Sequence, residues 1–209
     1  PSSSWLQLFS DKAHSKTIFK SHDFLTPEFI VQTNEEPLTT PWLREFPVII
    51  KPRFGDASEG ISLKSLALNP KDCLRKIRQL RKTHRDDLIV EEYIEGREIY
   101  LSLLGGTRPL IFPARELLFN NNSNTPLIAG EREKFDLAYR KKMGIRTVPL
   151  RDQELSVELE KMGQKFIAAF NFKGPVRLDL RVTTENQIYI LEANPNPALG
   201  STEDFALSS

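Results

Sequence analysis

The sequence predicts an α+β protein of two lobes, on three observations. Strand-like and helical segments alternate without the regular strand–helix–strand rhythm of a doubly wound sheet. Two strand-like runs in "LIVEEYIEGREIYLSLLGG" are broken at Glu95-Gly96, where a change of lobe fits. The regular structure closes on "PVRLDLRVTTENQIYILEAN", whose alternating apolar and charged residues read as a hairpin with one polar face. We therefore expect a first lobe over residues 1–95 and a second over residues 96–209.

The elements follow in order. After a polar start, "DKAHSKTIFKSH" reads as a helix capped by Asp11, and "TPEFIVQT" as a strand entered through Pro27. A proline-rich link leads to "FPVIIKP", a buried strand, and then to "RFGDASEG", a polar loop containing glycine. "NPKDCLRKIRQLRKT" is a helix opened by Asn69 as cap with Pro70 in the first turn. "RPLIFP" is a further strand. From "NNNSNTP" to "TVPL" the chain is polar with little periodicity, which reads as a long functional loop or as disorder. Leu155, Leu159, Met162, Phe166 and Phe170 then mark one face of a helix from about Asp152 to Asn171. There is no internal repeat.

At 209 residues, with 39% hydrophobic and 27% charged residues, the composition is that of a globular protein large enough for one generous domain or two small lobes. Runs such as "PVII" and "YLSLL" are far shorter than the roughly 20 residues that span a bilayer, so we expect a soluble, cytoplasmic protein with no membrane partner. The net charge of +1 argues against a nucleic-acid partner. The basic run "RKIRQLRKTHR" fits the solvated face of a helix whose other side carries Leu74, Ile77 and Leu80. Cys73, the single cysteine, reads as a helix-flank residue rather than a reactive thiol, and three scattered histidines have no metal-ligand spacing.

Chemistry concentrates in the closing hairpin. Arg177, Asp179 and Arg181 share one strand face and Leu178, Leu180 and Val182 the other. A four-residue connection, Thr184 to Gln187, would set Asp179 opposite Glu192, with Asn194 two residues further on the same face. Two opposed carboxylates and an amide oxygen suit Mg²⁺ or Mn²⁺, and an ion held by so few carboxylates points to a nucleotide phosphate as the remaining ligand. The same residues can equally be read as ion pairs of Arg177 and Arg181 with Asp179 and Glu192. Lys51 ends the strand "PVIIK" beside a loop holding Gly55, Ser58 and Gly60, a setting that can meet phosphate oxygens or form a plain surface turn. No GxxxxGK[ST] or GxGxxG pattern is present.

Taken together and in order, "DKAHSKTIFKSHDFLTPEF", "FPVIIKPRFGDASEGI", "LIVEEYIEGREI", "EKFDLAYRKK" and "GPVRLDL" with "IYILEANPNPALG" resemble the ATP-grasp superfamily, in its D-alanine–D-alanine ligase-like branch. The resemblance implies two α+β lobes with a nucleotide site between them, ATP and Mg²⁺ as cofactors, and ligation of a carboxylate to an amine through an acylphosphate. It implies that Lys16, Lys51, Ser58 and Gly60 meet the phosphates. Glu91 with the backbone around Tyr93 and Ile94 would read the adenine, and Glu98 the ribose. It further implies Lys141 at the γ-phosphate, Asp179, Glu192 and Asn194 as metal ligands, and Arg177 on the negative charge of the intermediate. Lys141 and the two glutamates read otherwise as solvated surface residues. The chain departs from the branch at Ala57, Lys142 and Ala198, positions where serine, tyrosine and glycine serve substrate or oxyanion. Its motifs begin by Asp11, so we expect the substrate-binding N-terminal domain of that branch to be missing or supplied by a partner. Substrate identity and oligomeric state are not implied. An ATP-binding module without catalysis, or a phosphoryl-transfer enzyme, would use the same site.

Overall fold

The structure, a computed structural model, describes residues 3–33, 46–54, 65–118, 139–141, 144–200 and 204–208. Ser58 and Gly60 lie outside the described residues. The first sheet is antiparallel throughout, in the order β1 (Phe29–Gln32), β4 (Leu88–Glu92), β2 (Val48–Pro52), β3 (Leu66–Ala67). Helix α3 (Pro70–Leu80) packs Cys73 and Ile77 against Val48, Ile50, Leu88 and Val90. It starts as the sequence predicts: the Asn69 side chain accepts from the Asp72 N–H at 2.9 Å, and Pro70 follows where its missing N–H costs nothing. Burial pushes the Cys73 thiol up to about 12, which keeps it protonated and inert. Arg75 and Arg78 face solvent on the other side of the helix.

The second sheet runs in the order β10 (Ile188–Asn194), β9 (Gly174–Val182), β5 (Arg97–Gly105), β7 (Arg115–Leu118), β8 (Arg146–Pro149), with β6 (Leu110–Ile111) beside β5. One face is sealed by α4 (Gln153–Phe170). Asp152 caps this helix at the Leu155 N–H, and Asn171 ends it in the left-handed conformation. Leu155, Leu159, Phe166 and Phe170 point inward as their spacing predicts, and Met162 packs at the edge of the same core.

Three features depart from the sequence expectation. The polar start is a helix, α1 (Ser3–Ser10), because Trp5 and Phe9 stand four residues apart and share one apolar face. Together with α2 (Lys12–Ser21) it builds an aromatic cluster in which Phe9, Phe19 and Phe24 pack against Phe166. Residues counted with the first lobe thus fill the core of the second sheet. Finally, the stretch ending in "TVPL" is not all irregular: β8 pairs with β7, and residues 139–141 form a helical turn. The chain changes sheets between Glu92 and Arg97. There Gly96 has φ +152°, and a Cβ at this position would lie 2.1 Å from the Val182 carbonyl oxygen. Among the described residues no helix is long and apolar enough to cross a membrane.

Candidate functional site

Strands β5, β9 and β10 present one apolar and one polar face. Ile99, Leu101, Leu103, Val176, Leu178, Leu180, Ile190 and Ala193 point into the core. The opposite face carries Glu98, Tyr100 and Ser102 on β5, then Arg177, Asp179 and Arg181 on β9. Asp179 is paired with Glu192 and Arg177 with Asn194.

That pairing arises differently from the four-residue connection expected. Val182 pairs with Ile188, so the connection has five residues, Thr183 to Gln187, closed by the Thr183 N–H on the Gln187 carbonyl at 3.0 Å. Strict alternation from Ile188 and Ile190 would then carry Glu192 and Asn194 into the apolar core. A β-bulge at Leu191 inserts one residue between Ile190 and Glu192, flips the parity, and returns Glu192 to the polar face opposite Asp179.

On this face Arg177 grips Asp179 in a fork, with Nε–Oδ1 at 2.7 Å and Nη2–Oδ2 at 3.1 Å, and its guanidinium lies 4.9 Å from the Tyr100 ring centroid. Arg181 reaches across to the start of β5. It donates to Glu98 Oε2 at 3.0 Å and to the Gly96 carbonyl, while the Tyr100 hydroxyl donates to Glu98 Oε1 at 3.0 Å. The ion pairs offered as an alternative are therefore found in part: Arg177 does pair with Asp179, which is only 4% exposed, and Arg177 itself is half-buried. Asn194 Oδ1 accepts from the Asn196 N–H at 2.9 Å.

A second cluster bridges the two sheets. Glu91, on β4, is buried between two ammonium groups, with Lys51 Nζ 2.5 Å from Oε1 and Lys16 Nζ 3.2 Å from Oε2. Lys16 also donates to Thr26 Oγ1 and to the Leu191 carbonyl, each at 3.1 Å. Burial lowers Lys16 to about 8, with Glu91 pulling it up and Lys51 pushing it further down. Burial also opposes ionisation of Glu91, but Lys16 and Lys51 outweigh it and hold its carboxyl below the usual range.

One turn earlier on α2, Asp11 caps the helix at the Ala13 and His14 N–H groups and takes a forked pair from Arg53, two residues beyond Lys51. The other expected residues are more dispersed. The Tyr93 N–H donates to the Pro47 carbonyl at 3.1 Å, Ile94 is buried, and Lys141 is exposed on its helical turn.

Sequence reasoning overlooked Thr26, Tyr100 and Lys12, the last a buried lysine at the start of α2 whose N–H donates to the Arg53 carbonyl. Tyr100 was within reach, since Glu98, Tyr100 and Ser102 alternate strictly with Ile99, Leu101 and Leu103. Nothing local marks Thr26.

The donor set fits a hard divalent cation. It is all oxygen, its two carboxylates are register partners, and the amide lies two residues along the same face. An ion held there would compete with Arg177 for Asp179.

Comparison with known proteins agrees with this architecture. A sequence profile of the family described as D-ala D-ala ligase C-terminus matches residues 19–208. The uncharacterised protein y4sG of Sinorhizobium fredii is 29% identical over 203 residues, covering 97% of this chain and 57% of that protein. The D-alanine–D-alanine ligase of Aquifex aeolicus is 28% identical over 190 residues, covering 90% of this chain and 59% of the ligase. Among solved structures, the Bacillus anthracis D-alanine–D-alanine ligase complexed with ATP superposes with a TM-score of 0.72 at 20% identity, covering 96% of this chain and 60% of that one. The VanG D-Ala:D-Ser ligase of Enterococcus faecalis gives 0.71 at 19% identity, covering 95% and 55%. The chain thus spans somewhat under two thirds of the length of these relatives.

Proposed function

The chain belongs to the D-ala D-ala ligase C-terminal family and has its ATP-grasp fold, and from that premise we propose that it is the nucleotide-binding, catalytic part of an ATP- and Mg²⁺-dependent carboxylate–amine ligase. The observation that carries this reading is the Asp179–Glu192 pair, brought to the polar face by the Leu191 bulge beside Arg177 and Asn194. Asp179, Glu192 and Asn194 would hold Mg²⁺, or Mn²⁺ on the same oxygen set, which supplies charge neutralisation for the attack of one anion on another.

Lys16 and Lys51 would meet the phosphates, joined by Ser58 and Gly60, which follow Lys51 in the sequence, and Lys141 would approach the γ-phosphate from the 139–141 turn. The backbone around Tyr93 and Ile94, with Glu91, would bound the adenine. Glu98 would accept from the ribose hydroxyls, since a carboxylate with two bonds made retains lone pairs. A substrate carboxylate oxygen would bond to the γ-phosphorus as the bond to the ADP oxygen breaks. An amine would then add to the acyl carbon, phosphate would leave, and the amine proton would pass to solvent. Arg177, displaced from Asp179, lies on the same face to stabilise the oxyanion. Loss of one such donor typically costs about 3–4 kcal/mol of barrier, or on the order of 10²–10³ in rate.

A second reading is a nucleotide-binding module that does not ligate, favoured by Ala198, which stands where the resemblance implies a glycine serving the oxyanion. The two part in a coupled ADP-release assay on the full chain with Mg-ATP and pairs of amino acids or small peptides. The ligase reading expects sustained release of ADP and phosphate that requires both acid and amine. Binding of Mg-ATP with no ADP release for any pair contradicts it and leaves the module.

A further inference from the structure

Resting on the reading above in which Glu98 faces the ribose, we propose that Arg181 and Tyr100 are positioning residues that set this carboxylate for the ribose hydroxyls and so govern how strongly the site prefers a ribonucleotide. The strand register builds the arrangement. Glu98 is the cross-strand partner of Arg181, and Tyr100 that of Asp179, so these side chains share the polar face of β5 and β9. Glu98 is 4% exposed, and each of its oxygens is held by a different residue: the Tyr100 hydroxyl donates to Oε1 at 3.0 Å and Arg181 Nη2 to Oε2 at 3.0 Å. A glutamate side chain is long and flexible, and holding both oxygens beforehand removes freedom that a ligand would otherwise have to remove on binding. Each oxygen still has a lone pair for one further donor.

Arg181 also reaches the backbone where the chain changes sheets. Gly96 runs so close to the end of β9 that a Cβ there would lie 2.1 Å from the Val182 carbonyl oxygen, and its own carbonyl accepts from Arg181 Nη1 at 3.1 Å. The same guanidinium lies 5.9 Å from the Tyr93 ring centroid. One buried guanidinium thus ties the segment whose backbone is assigned to the adenine to the carboxylate assigned to the ribose. The fold alone does not call for this pair, since apolar residues of similar volume often replace a buried ion pair without loss of stability. A ligand bearing hydroxyl groups does call for it, because a charged acceptor makes the stronger hydrogen bond and must be held in place to make it.

The test compares ATP with dideoxy-ATP, which has the same base and phosphates on a ribose lacking both hydroxyls. Calorimetric titrations of the full chain in Mg²⁺ give the preference, the ratio of the two dissociation constants. Wild type should prefer ATP by at least roughly tenfold, the order of one hydrogen bond to a charged group. Arg181→Met should bring the preference to within roughly twofold of unity while its affinity for dideoxy-ATP stays within about threefold of wild type. Tyr100→Phe, which loses only the hydroxyl, should lower the preference at least roughly threefold and leave dideoxy-ATP binding within about twofold. In a Glu98→Gln background neither substitution should shift the preference by more than about twofold, because both act through that carboxylate.

A folded Arg181→Met that keeps the wild-type preference overturns the proposal. So does one that loses ATP and dideoxy-ATP affinity in equal proportion, because a merely structural pair would weaken both alike, and so does a further shift in the Glu98→Gln background. Should Arg181→Met fail to fold, Tyr100→Phe decides by the same criteria. Equal binding of the two nucleotides by wild type separates Glu98 from the ribose and overturns the inference while the nucleotide site stands. Failure of wild type to bind either one removes the site itself, a distinguishable result.

Discussion

Glu91 is the residue on which both sides of the site converge, and its charge has consequences for stability. Its folded carboxyl titrates below the ordinary 4.5, so the unfolded chain binds more protons in that range and stability falls as the solution is acidified. Its contribution is complete above pH 4.5 and drains away as pH drops through the lower folded value. We expect Glu91→Gln to cost about 3–5 kcal/mol at pH 7, because it leaves two buried ammonium groups facing each other. The variant should also have a flatter acid limb than wild type in denaturant melts run from pH 7 to pH 3. Lys16 gives a slope of the same sign in a more alkaline range, because burial disfavours its charged form. Its folded value of about 8 lies under the ordinary 10.5, so stability rises with pH across that interval, a rise that Lys16→Met should lack when melts are compared. Neither effect was legible in the sequence, where Lys16 and Glu91 are 75 positions apart and nothing local pairs them.

The hairpin shows how an element can be read correctly by an incorrect route. A four-residue turn and a regular ladder lead to Asp179 opposite Glu192, and so do a five-residue turn and a bulge. The difference lies in which residues reach the core. Ile188, Ile190, Glu192 and Asn194 all carry even numbers, so period-two alternation would bury carboxylate and isoleucine together, and that conflict is itself a signal of an inserted residue. Helix α4 was readable from its spacing and caps, because both are local. Helix α1 was not, because its reason for being helical is a tertiary aromatic cluster of Trp5 with Phe9, Phe170 and Phe172. Two substitutions test these elements by thermal unfolding. Phe166→Ala, at the centre of that cluster, should destabilise by about 3–5 kcal/mol. Gly96→Ala combines positive φ with a clash against the Val182 carbonyl, and should lower stability by more than about 2 kcal/mol where the chain changes sheets.

At the scale of the molecule, two sheets meet where α2 leaves the aromatic core and sends Lys16 toward Glu91, while the Asp11–Arg53 fork fastens its other end to β2. The mixed helix-and-sheet fold was legible because the strand and helix patterns that build it are local, and the chain does change sheets beside Gly96. The partner of Arg181 was not, because Glu98 comes from the neighbouring strand β5, which the hairpin sequence cannot reveal. The central claim is that the hairpin carboxylates bind a divalent cation together with nucleotide. Calorimetric titration of ATP into wild type and Asp179→Asn, each with Mg²⁺ and with EDTA, measures it most directly. The account predicts that wild type binds ATP at least roughly tenfold more tightly in Mg²⁺, about 1.4 kcal/mol, and that Asp179→Asn folds but loses this increment. Equal wild-type affinity in Mg²⁺ and EDTA, or an Asp179→Asn protein that keeps the full Mg²⁺ effect, would contradict it.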